Sequence, residues 1–293
     1  MVSGVMNAIV RERSGVRLRS VAVPEPPSGW VRLHVRMVGL CRTDLAAASG
    51  ALPVAEGRIL GHEVVGELDG TRVTVAPMVP CGGCSGCLAS RRCTRPGMIG
   101  LSHDGAFATW LCAPLAQIHP VPSTLPLRRA AFVEPIAASL AVLRAPIHPS
   151  DRGVVLGNGR IGALTRRILA EHGFSRVEGD DAHEDAAFDF VIETDATEAT
   201  LARALDLVRP GGVIVLKSRP VRAIPIDVTR AVLADVRFAS VGYGSFGDAI
   251  ELAARLPIDD LLAEPIPCER FREAFELAAE PRSPKRFLVM GDG

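Results

Sequence analysis

The stretch Val154-Val-Leu-Gly157-Asn-Gly159-Arg-Ile-Gly162 places three glycines directly after a short apolar run. Such a run is typical of a buried strand, and the apolar spacing from Ile161 to His172 is typical of a helix. Glycines in this setting allow a tight turn and let a pyrophosphate approach the amino terminus of the helix, where backbone N–H groups favour an anion. An ordinary glycine-rich turn is the alternative. The turn is therefore predicted to bind the pyrophosphate of a dinucleotide cofactor, through Gly157, Gly159, Arg160, Ile161 and Gly162.

On the carboxyl side of this turn, strand-like and helix-like runs alternate along the chain. The strand-like runs cover residues 188–192, 213–216 and 238–241, and the helical patterns between and after them cover 198–208, 229–235 and 248–255. Alternation of this kind predicts a parallel sheet covered by helices.

The first third of the chain instead has short β-branched runs, such as residues 31–38 and 64–68, separated by Gly and Pro. This pattern indicates a β-rich domain. A helical pattern at 268–279 and a strand-like run at 286–290 do not fit the parallel sheet, so we expect them to return to the β-rich domain. We therefore predict an α/β protein. A Rossmann dinucleotide-binding domain, residues 146–257, is inserted in a catalytic domain of residues 1–145 plus 258–293, built as an antiparallel, partly open barrel.

The composition argues against several classes of function. Of the 293 residues, 48% are hydrophobic, which is enough apolar material for two packed domains. Lys and Arg together number 33, as do Asp and Glu, so no basic excess is available to attract nucleic acid or an anionic membrane surface. The amino terminus lacks the pattern of a leader, and no apolar stretch is long enough to span a bilayer. We expect a cytoplasmic protein that acts on a small molecule, with neither nucleic acid nor membrane as a partner.

Four cysteines, Cys81, Cys84, Cys87 and Cys93, lie in one glycine-containing loop. Four close thiolates are typical of a structural zinc ion, because they fill all four tetrahedral positions and leave none for a substrate. Free thiols or a redox pair are the alternatives. We predict that this loop binds a structural zinc ion.

Three further residues offer ligands of a different kind: Cys41, His62 and Glu134. Each alone is more typical of a small core residue or a hydrogen-bonded polar group. Taken together they supply a thiolate, an imidazole and a carboxylate, and leave a fourth position open, as a catalytic zinc ion requires. The sequence therefore predicts two zinc ions per chain.

The order of these motifs resembles that of the zinc-containing medium-chain dehydrogenases, a family that includes alcohol, sorbitol, glucose and threonine dehydrogenases. The resemblance covers nearly the whole chain, and it implies that the β-rich domain is GroES-like. The matching motifs are Gly39–Asp44, Gly61–Glu63, the four cysteines, Asp104–Phe107, Glu134–Pro135 and the glycine turn.

The resemblance implies a role for each matching residue near the catalytic metal. Cys41, His62 and Glu134 match the zinc ligands, the last as in members that use glutamate where others use a second cysteine. Glu63 matches a neighbouring carboxylate that can approach the metal when another ligand leaves. Thr43 matches the hydroxyl residue that contacts the substrate oxygen.

Two further implications concern the cofactor and the assembly. Arg42 matches a position where some members place an arginine against the cofactor pyrophosphate. Members of the family associate through the edge of the parallel sheet, which here corresponds to residues 238–244. The resemblance therefore implies a homodimer or a homotetramer.

Three features depart from the family pattern. Ala46 lies where some relatives carry the histidine that ends a proton relay. Cys87 and Cys93 are separated by five residues, which is shorter than usual. The segment between Gly173 and Phe188 is too short for the two strands and the intervening helix that the family has there. We predict that one strand and one helix are missing from the Rossmann domain.

The shortened segment also contains the predicted ribose site. In Rossmann domains an acidic residue about twenty residues beyond the glycine turn accepts hydrogen bonds from the adenosine ribose. Asp181, or its neighbour Asp180, lies at that position after the strand-like residues 174–181. Because a carboxylate there repels a 2′-phosphate, we predict NAD(H) rather than NADP(H). The shortened segment removes one wall of the adenine pocket, so we also predict weaker binding than in relatives with the full segment.

These features together predict a zinc-dependent oxidoreductase that transfers a hydride between NAD(H) and a small alcohol or polyol, or its carbonyl counterpart. The alternative is a non-redox zinc enzyme or a binding protein derived from the family, with impaired nucleotide binding. The shortened segment favours that alternative. The complete ligand sets and the intact glycine turn favour the dehydrogenase.

Overall fold

The computed structural model describes residues 4–291 of the chain. Its strands, in chain order, are β1 Val5–Glu12, β2 Gly15–Ala22, β3 Trp30–Gly39, β4 Glu63–Leu68, β5 Thr71–Val75, β6 Met78–Val79, β7 Gly97–Met98, β8 Trp110–Pro114, β9 Ile118–Pro120, β10 Gly153–Leu156, β11 Val177–Glu178, β12 Phe188–Glu193, β13 Val208–Leu216, β14 Arg237–Ser240, β15 Ile266–Pro267 and β16 Phe287–Val289. Its α-helices are α1 Arg42–Ala48, α2 Ser85–Leu88, α3 Leu127–Ala131, α4 Val133–Leu140, α5 Arg160–Glu171, α6 Glu198–Leu207, α7 Val228–Leu233, α8 Phe246–Arg255 and α9 Phe271–Ala279. Among residues 4–291, none of the helices is long and apolar enough to cross a bilayer.

The chain divides into two compact units. One consists of Met1–Glu134 together with Asp259–Gly293, and the other of Pro135–Ile258. The first boundary falls earlier than the predicted one at residue 145, because α4 continues from one unit into the other. The final segment of the chain pairs with the first unit, where β16 runs antiparallel to β3.

The first unit is built on a mostly antiparallel sheet in the order β15-β16-β3-β4-β5-β9, with β8 paired to the remaining part of β3. The strand β3 alternates buried and half-buried residues through its middle, as expected for a strand with one face on the core. Its inward residues, including Leu33, Val35 and Val38, pack with side chains from β4 and the carboxyl-terminal helix α9. This core holds the amino end of β4 and the carboxyl end of β3 side by side, and both carry candidate site residues.

The second unit contains a five-stranded parallel sheet in the order β11-β10-β12-β13-β14. All four residues of β10 are buried, and separate apolar clusters cover the two faces of the sheet. This arrangement confirms the predicted Rossmann-type sheet, since a parallel sheet with helices on both faces buries its central strands completely.

The shortened edge of this sheet also agrees with the sequence prediction. The strand β11 has only two residues, and residues 179–187, which lead to β12, form neither a helix nor a strand. The strand is shorter than the strand-like pattern over 174–181, because the chain turns at Asp180 and Asp181. In the part of the chain that the structure describes, β11 is therefore the outer strand on this side.

Candidate metal and nucleotide sites

A buried group of possible metal ligands forms in the first unit from Cys41, His62 and Glu63. One ligand atom from each residue lies within 4.8 Å of the other two. Cys41 immediately precedes α1, and His62 immediately precedes β4, which begins at Glu63. The side chains of His62 and Glu63 are almost completely buried, so the group lies in a low-dielectric environment.

The fully buried carboxylate of Asp44 joins the two segments that carry these ligands. Its Oδ2 accepts a hydrogen bond from the backbone N–H of Cys41 (2.9 Å), and its Oδ1 accepts one from the N–H of Gly61 (3.1 Å). The same Oδ1 lies 3.5 Å from Nδ1 of His62. Asp44 therefore fixes both ligand segments and orients the imidazole, as carboxylates commonly do beside metal-binding histidines.

The turn before His62 requires glycine at position 61. Gly61 has φ +94°, and a Cβ there would lie 2.9 Å from the ring of Phe107. The backbone N–H groups of Ala106 and Phe107 donate to the carbonyls of Gly61 and Leu60, both at 2.9 Å. The Asp104–Phe107 motif thus supports the turn that presents His62, through these backbone hydrogen bonds and through Asp104 Oδ1, which accepts a hydrogen bond from the N–H of Ile59 (3.2 Å).

The surroundings of His62 stabilise its charged form when no metal is bound. Burial opposes protonation, but the carboxylate of Asp44 and the side chain of Cys41 outweigh this effect and raise the pKa of His62 well above its ordinary value. The strongly anionic surroundings that attract a proton also attract a metal cation.

Glu63 forms a buried ion pair with Lys285, a residue that the sequence analysis did not identify. Lys285 Nζ donates to Glu63 Oε1 (2.6 Å) and to the carbonyl of Leu40 (2.8 Å), and it also contacts Glu63 Oε2. Gly39 leaves room for this carboxylate, since a Cβ there would lie 2.4 Å from Oε2. No local pattern links Glu63 with a residue so far along the chain, so only the fold brings the pair together.

The other predicted residues of this site have different placements. Glu134 is buried in the first turn of α4, but it does not join the Cys41, His62 and Glu63 group. The hydroxyl of Thr43 lies 3.6 Å from the sulfur of Cys41. Arg42 is exposed as the first residue of α1.

The donor chemistry of this buried group fits a zinc ion. Cysteine sulfur, histidine nitrogen and carboxylate oxygen are its usual protein ligands. Catalytic zinc typically has three protein ligands and one open position, and Cys41 and His62 offer two of those three, with a carboxylate as the third.

The second group of possible metal ligands is the cysteine loop. The sulfur atoms of Cys81, Cys84, Cys87 and Cys93 all lie within 4.8 Å of one another, despite the short gap before Cys93. The sulfur of Cys84 lies 3.5 Å from that of Cys87 and 3.9 Å from that of Cys93. Tetrahedral zinc with bonds of about 2.3 Å separates its sulfurs by about 3.8 Å, so these distances fit the ion.

Backbone N–H groups around the cysteine loop stabilise negative sulfur. Hydrogen bonds from Thr94 and from the backbone of Cys87 lower the pKa of the Cys84 thiol to about 5. The pKa of Cys93 is also lowered, chiefly by the backbone N–H of Cys81. Removal from water and the neighbouring sulfurs raise the pKa of Cys87 to about 11, so this thiol is the one most dependent on a cation for ionisation.

The glycine turn in the second unit has the geometry that its sequence predicts. Gly157 adopts φ +119°, where a Cβ would lie 2.2 Å from the hydroxyl of Thr194. A Cβ on Gly162 would lie 1.9 Å from the carbonyl oxygen of Gly157, so α5 packs closely against the turn only because Gly162 lacks one. Gly159 is the residue that caps the amino terminus of α5, and Arg160 and Ile161 are the first two residues of that helix.

Asp180 lies beside this turn, although it is distant in sequence. Its Oδ1 accepts a hydrogen bond of 2.6 Å from the backbone N–H of Gly157. Asp181 is exposed in the adjoining turn. Of the two candidate ribose ligands, Asp180 is the one that the structure brings to the glycine turn.

Comparisons with known proteins identify relatives of both units. Residues 27–123 match the alcohol dehydrogenase GroES-like domain. The chain is 34% identical over 173 residues to L-galactonate-5-dehydrogenase of Escherichia coli K12, an alignment that covers 54% of this chain and 51% of that protein. The chain thus spans about half the length of the first curated relatives that it matches.

Other relatives align over almost the whole chain. A provisionally named D-xylulose reductase of Rhizobium meliloti is 28% identical, with 94% of this chain and 96% of that protein covered. A zinc-binding dehydrogenase from Sinorhizobium meliloti 1021, provisionally described and solved with NADP, has the same fold. Its TM-score is 0.86 at 24% identity, over 98% of this chain and 99% of that one. With a GroES-like domain and a Rossmann-type sheet, the chain is similar to zinc-type medium-chain alcohol and polyol dehydrogenases.

Proposed function

We propose that the protein is a zinc-dependent oxidoreductase that transfers a hydride between NAD(H) and a small alcohol or polyol, or its carbonyl counterpart. The observation that carries this proposal is the buried group of Cys41, His62 and Glu63, positioned by Asp44. Relatives named as L-galactonate, sorbitol and D-altritol dehydrogenases support a polyol or sugar acid as substrate.

In this proposal Cys41, His62 and Glu134 hold the catalytic zinc ion, with Glu63 beside them. When bound, zinc supplies a positive charge that polarises the substrate oxygen. Thr43, whose hydroxyl lies close to the sulfur of Cys41, contacts that oxygen and takes part in moving its proton. The hydride chemistry belongs to the nicotinamide cofactor.

The second zinc ion is proposed to bind Cys81, Cys84, Cys87 and Cys93. Four thiolates close its coordination sphere, so its contribution is to order the loop. Two zinc ions per chain follow from the two ligand groups.

NAD(H) is the proposed cofactor, held in the second unit by the glycine turn from Gly157 to Gly162 and by Asp180. The carboxylate of Asp180 beside the turn supports this preference, because a carboxylate there accepts hydrogen bonds from ribose hydroxyls and repels a 2′-phosphate. The similar dehydrogenase from Sinorhizobium meliloti was instead solved with NADP bound. Residues 179–187 contain no helix or strand to complete a wall for the adenine, which supports weaker binding than in relatives with the full segment.

We also propose that the protein forms a homodimer or a homotetramer through β14. This strand forms the other edge of the parallel sheet, and its Phe238 is 40% exposed. On the preceding helix α7, Val232 and Leu233 are 71% and 84% exposed. Apolar side chains at an unpaired edge are typical of an association surface. Light scattering at micromolar concentration tests the proposal, and a monomer would contradict it.

The proposed activity is tested by adding NADH to the purified zinc protein and recording nicotinamide fluorescence. A screen of polyols, secondary alcohols, sugar acids and their carbonyl counterparts, followed by nicotinamide absorbance, then tests turnover. We expect saturable NADH binding and turnover of at least one polyol or sugar acid. A protein that binds zinc but neither binds NADH nor oxidises any of these compounds would contradict the proposal and favour the non-redox alternative.

A further inference from the structure

Lys285 is the only buried lysine among the described residues, and its ammonium group lies next to the proposed metal site. Its side chain is 3% exposed, and it is held by Glu63 Oε1 and by the carbonyl of Leu40. Lysine is almost never this deeply buried without a specific partner, because removing its charge from water is costly. The pair with Glu63 is therefore a fixed part of the site.

The backbone fixes where this ammonium lies. The N–H of Leu40 donates to the carbonyl of Arg286 at 2.9 Å, and β16 continues this pairing with β3. Lys285 lies two residues before β16 and next to Arg286, which makes this hydrogen bond. This pairing keeps the backbone of Lys285 beside the segment that ends in Cys41.

The carboxylate of Glu63 lies within reach of two cations. One is the ammonium of Lys285, which it contacts directly. The other is the metal proposed for Cys41 and His62, since an oxygen of Glu63 lies within 4.8 Å of a ligand atom from each. A carboxylate oxygen in that position is close enough to become a metal ligand after a small side-chain movement.

We propose that Lys285 is a positioning residue that withholds Glu63 from the metal, so that one coordination position stays open for the substrate. This inference rests on the proposed function, because it requires a metal at Cys41 and His62. The ammonium neutralises the carboxylate and holds its oxygens on the Leu40 side. Without the ammonium, the buried carboxylate has the metal as its nearest cation, and it coordinates the metal as an additional protein ligand.

The experiment compares wild type, Lys285→Met and Lys285→Met combined with Glu63→Gln, each purified with its metal. Cobalt(II) replaces zinc, and imidazole is added as a small ligand that enters an open coordination position. We expect the cobalt absorption of the wild type to shift with imidazole, and that of Lys285→Met to remain unchanged. The double variant should respond again, because glutamine carries no charge to hold it on the metal.

Zinc release to a chromogenic chelator gives a second measurement on the same proteins. The phase of zinc release that is missing in His62→Ala reports the buried site. We expect the rate of this phase to be at least about 10-fold lower in Lys285→Met, which is the usual size of effects from residues around metal ligands. Lys285→Arg should behave as wild type, since it keeps a cation beside Glu63. If Lys285→Met precipitates, Lys285→Gln replaces it, with the same expected direction.

Different results contradict the inference and the proposed function. The inference is overturned if the Lys285 variant keeps the wild-type imidazole response and release rate, or if it loses the metal altogether. The proposed function fails at an earlier step, if the wild type holds no metal whose presence depends on Cys41 and His62.

Discussion

The two candidate metal sites are built by opposite means. The cysteine loop takes four ligands from residues 81–93, and one of them, Cys81, is exposed. The buried group takes its ligands from separate segments, and two charged residues that are not proposed ligands, Asp44 and Lys285, hold them in place. A site that only has to close around an ion can be encoded by local spacing. A site that must stay open needs fixed charges, which only the fold can supply.

The largest effect that separates the two sites is expected at the buried ligands. Cys41→Ala, His62→Ala or Glu134→Ala should each reduce turnover to background, because the metal that polarises the substrate is lost. NADH affinity should change by less than about threefold, since the glycine turn does not depend on this metal. Steady-state kinetics and NADH fluorescence titration measure the two quantities. Full activity in His62→Ala would contradict the assignment of the catalytic site.

The residues that position the ligands should produce an intermediate effect. Asp44→Asn keeps the shape of the side chain but removes the charge that orients His62, and Glu63→Gln removes the partner of Lys285. Each should lower zinc affinity or turnover by about 10 to 100-fold, as is typical for residues that support metal ligands. Chelator competition and steady-state kinetics check this. Wild-type values in Asp44→Asn would show that the hydrogen bonds to Cys41 and Gly61 are dispensable.

The nucleotide site resembles the buried metal site, because Asp180 also reaches its partner through the fold. Asp180→Ala should weaken NADH binding by about 10-fold, a typical loss for a hydrogen bond to a charged group. Asp181→Ala is the matched control and should leave binding nearly unchanged. Calorimetry with NADH and NADPH measures both variants. Tighter binding of NADPH than NADH by the wild type would contradict the proposed preference.

The smallest effect on turnover is expected at the cysteine loop. Cys81→Ser should remove the structural zinc and lower the melting temperature by roughly 5 °C, equivalent to about 2 kcal/mol in a chain of this size. Turnover per remaining active protein should fall by less than about threefold. Calorimetry and kinetics on matched preparations test this contrast. A loss of activity as large as in His62→Ala would remove the distinction between the two sites.

Elements with strong local patterns could be predicted closely from the sequence. The helix expected over 161–172 is found at Arg160–Glu171, and the apolar run before the glycine turn, Val154 to Leu156, is found within strand β10. The absence of a helix or strand in residues 179–187 was also predictable, because so few residues connect Gly179 to β12. By contrast, β13 begins at Val208, earlier than the strand-like run from 213, because Val208 pairs with Phe188 across an irregular register.

The candidate site was less accessible to sequence reasoning, because its supporting charges act over long separations. Asp44 had a partial signal, because it lies three residues after the cap residue Cys41, as in a capping box, although such a box normally begins with Ser or Thr. Lys285 had none, because a single lysine near the end of the chain is usually exposed. The grouping of Glu63, rather than Glu134, with Cys41 and His62 likewise depends on how β3 and β4 pair.

Metal analysis of three proteins tests the central claim most directly: one chain carries a closed structural zinc site and a separate open catalytic one. Wild type, His62→Ala and Cys81→Ser are purified identically, and zinc per chain is measured beside turnover. We predict two zinc ions in the wild type and one in each variant, with turnover lost only in His62→Ala. A single zinc ion in the wild type, retained in His62→Ala, would contradict the account.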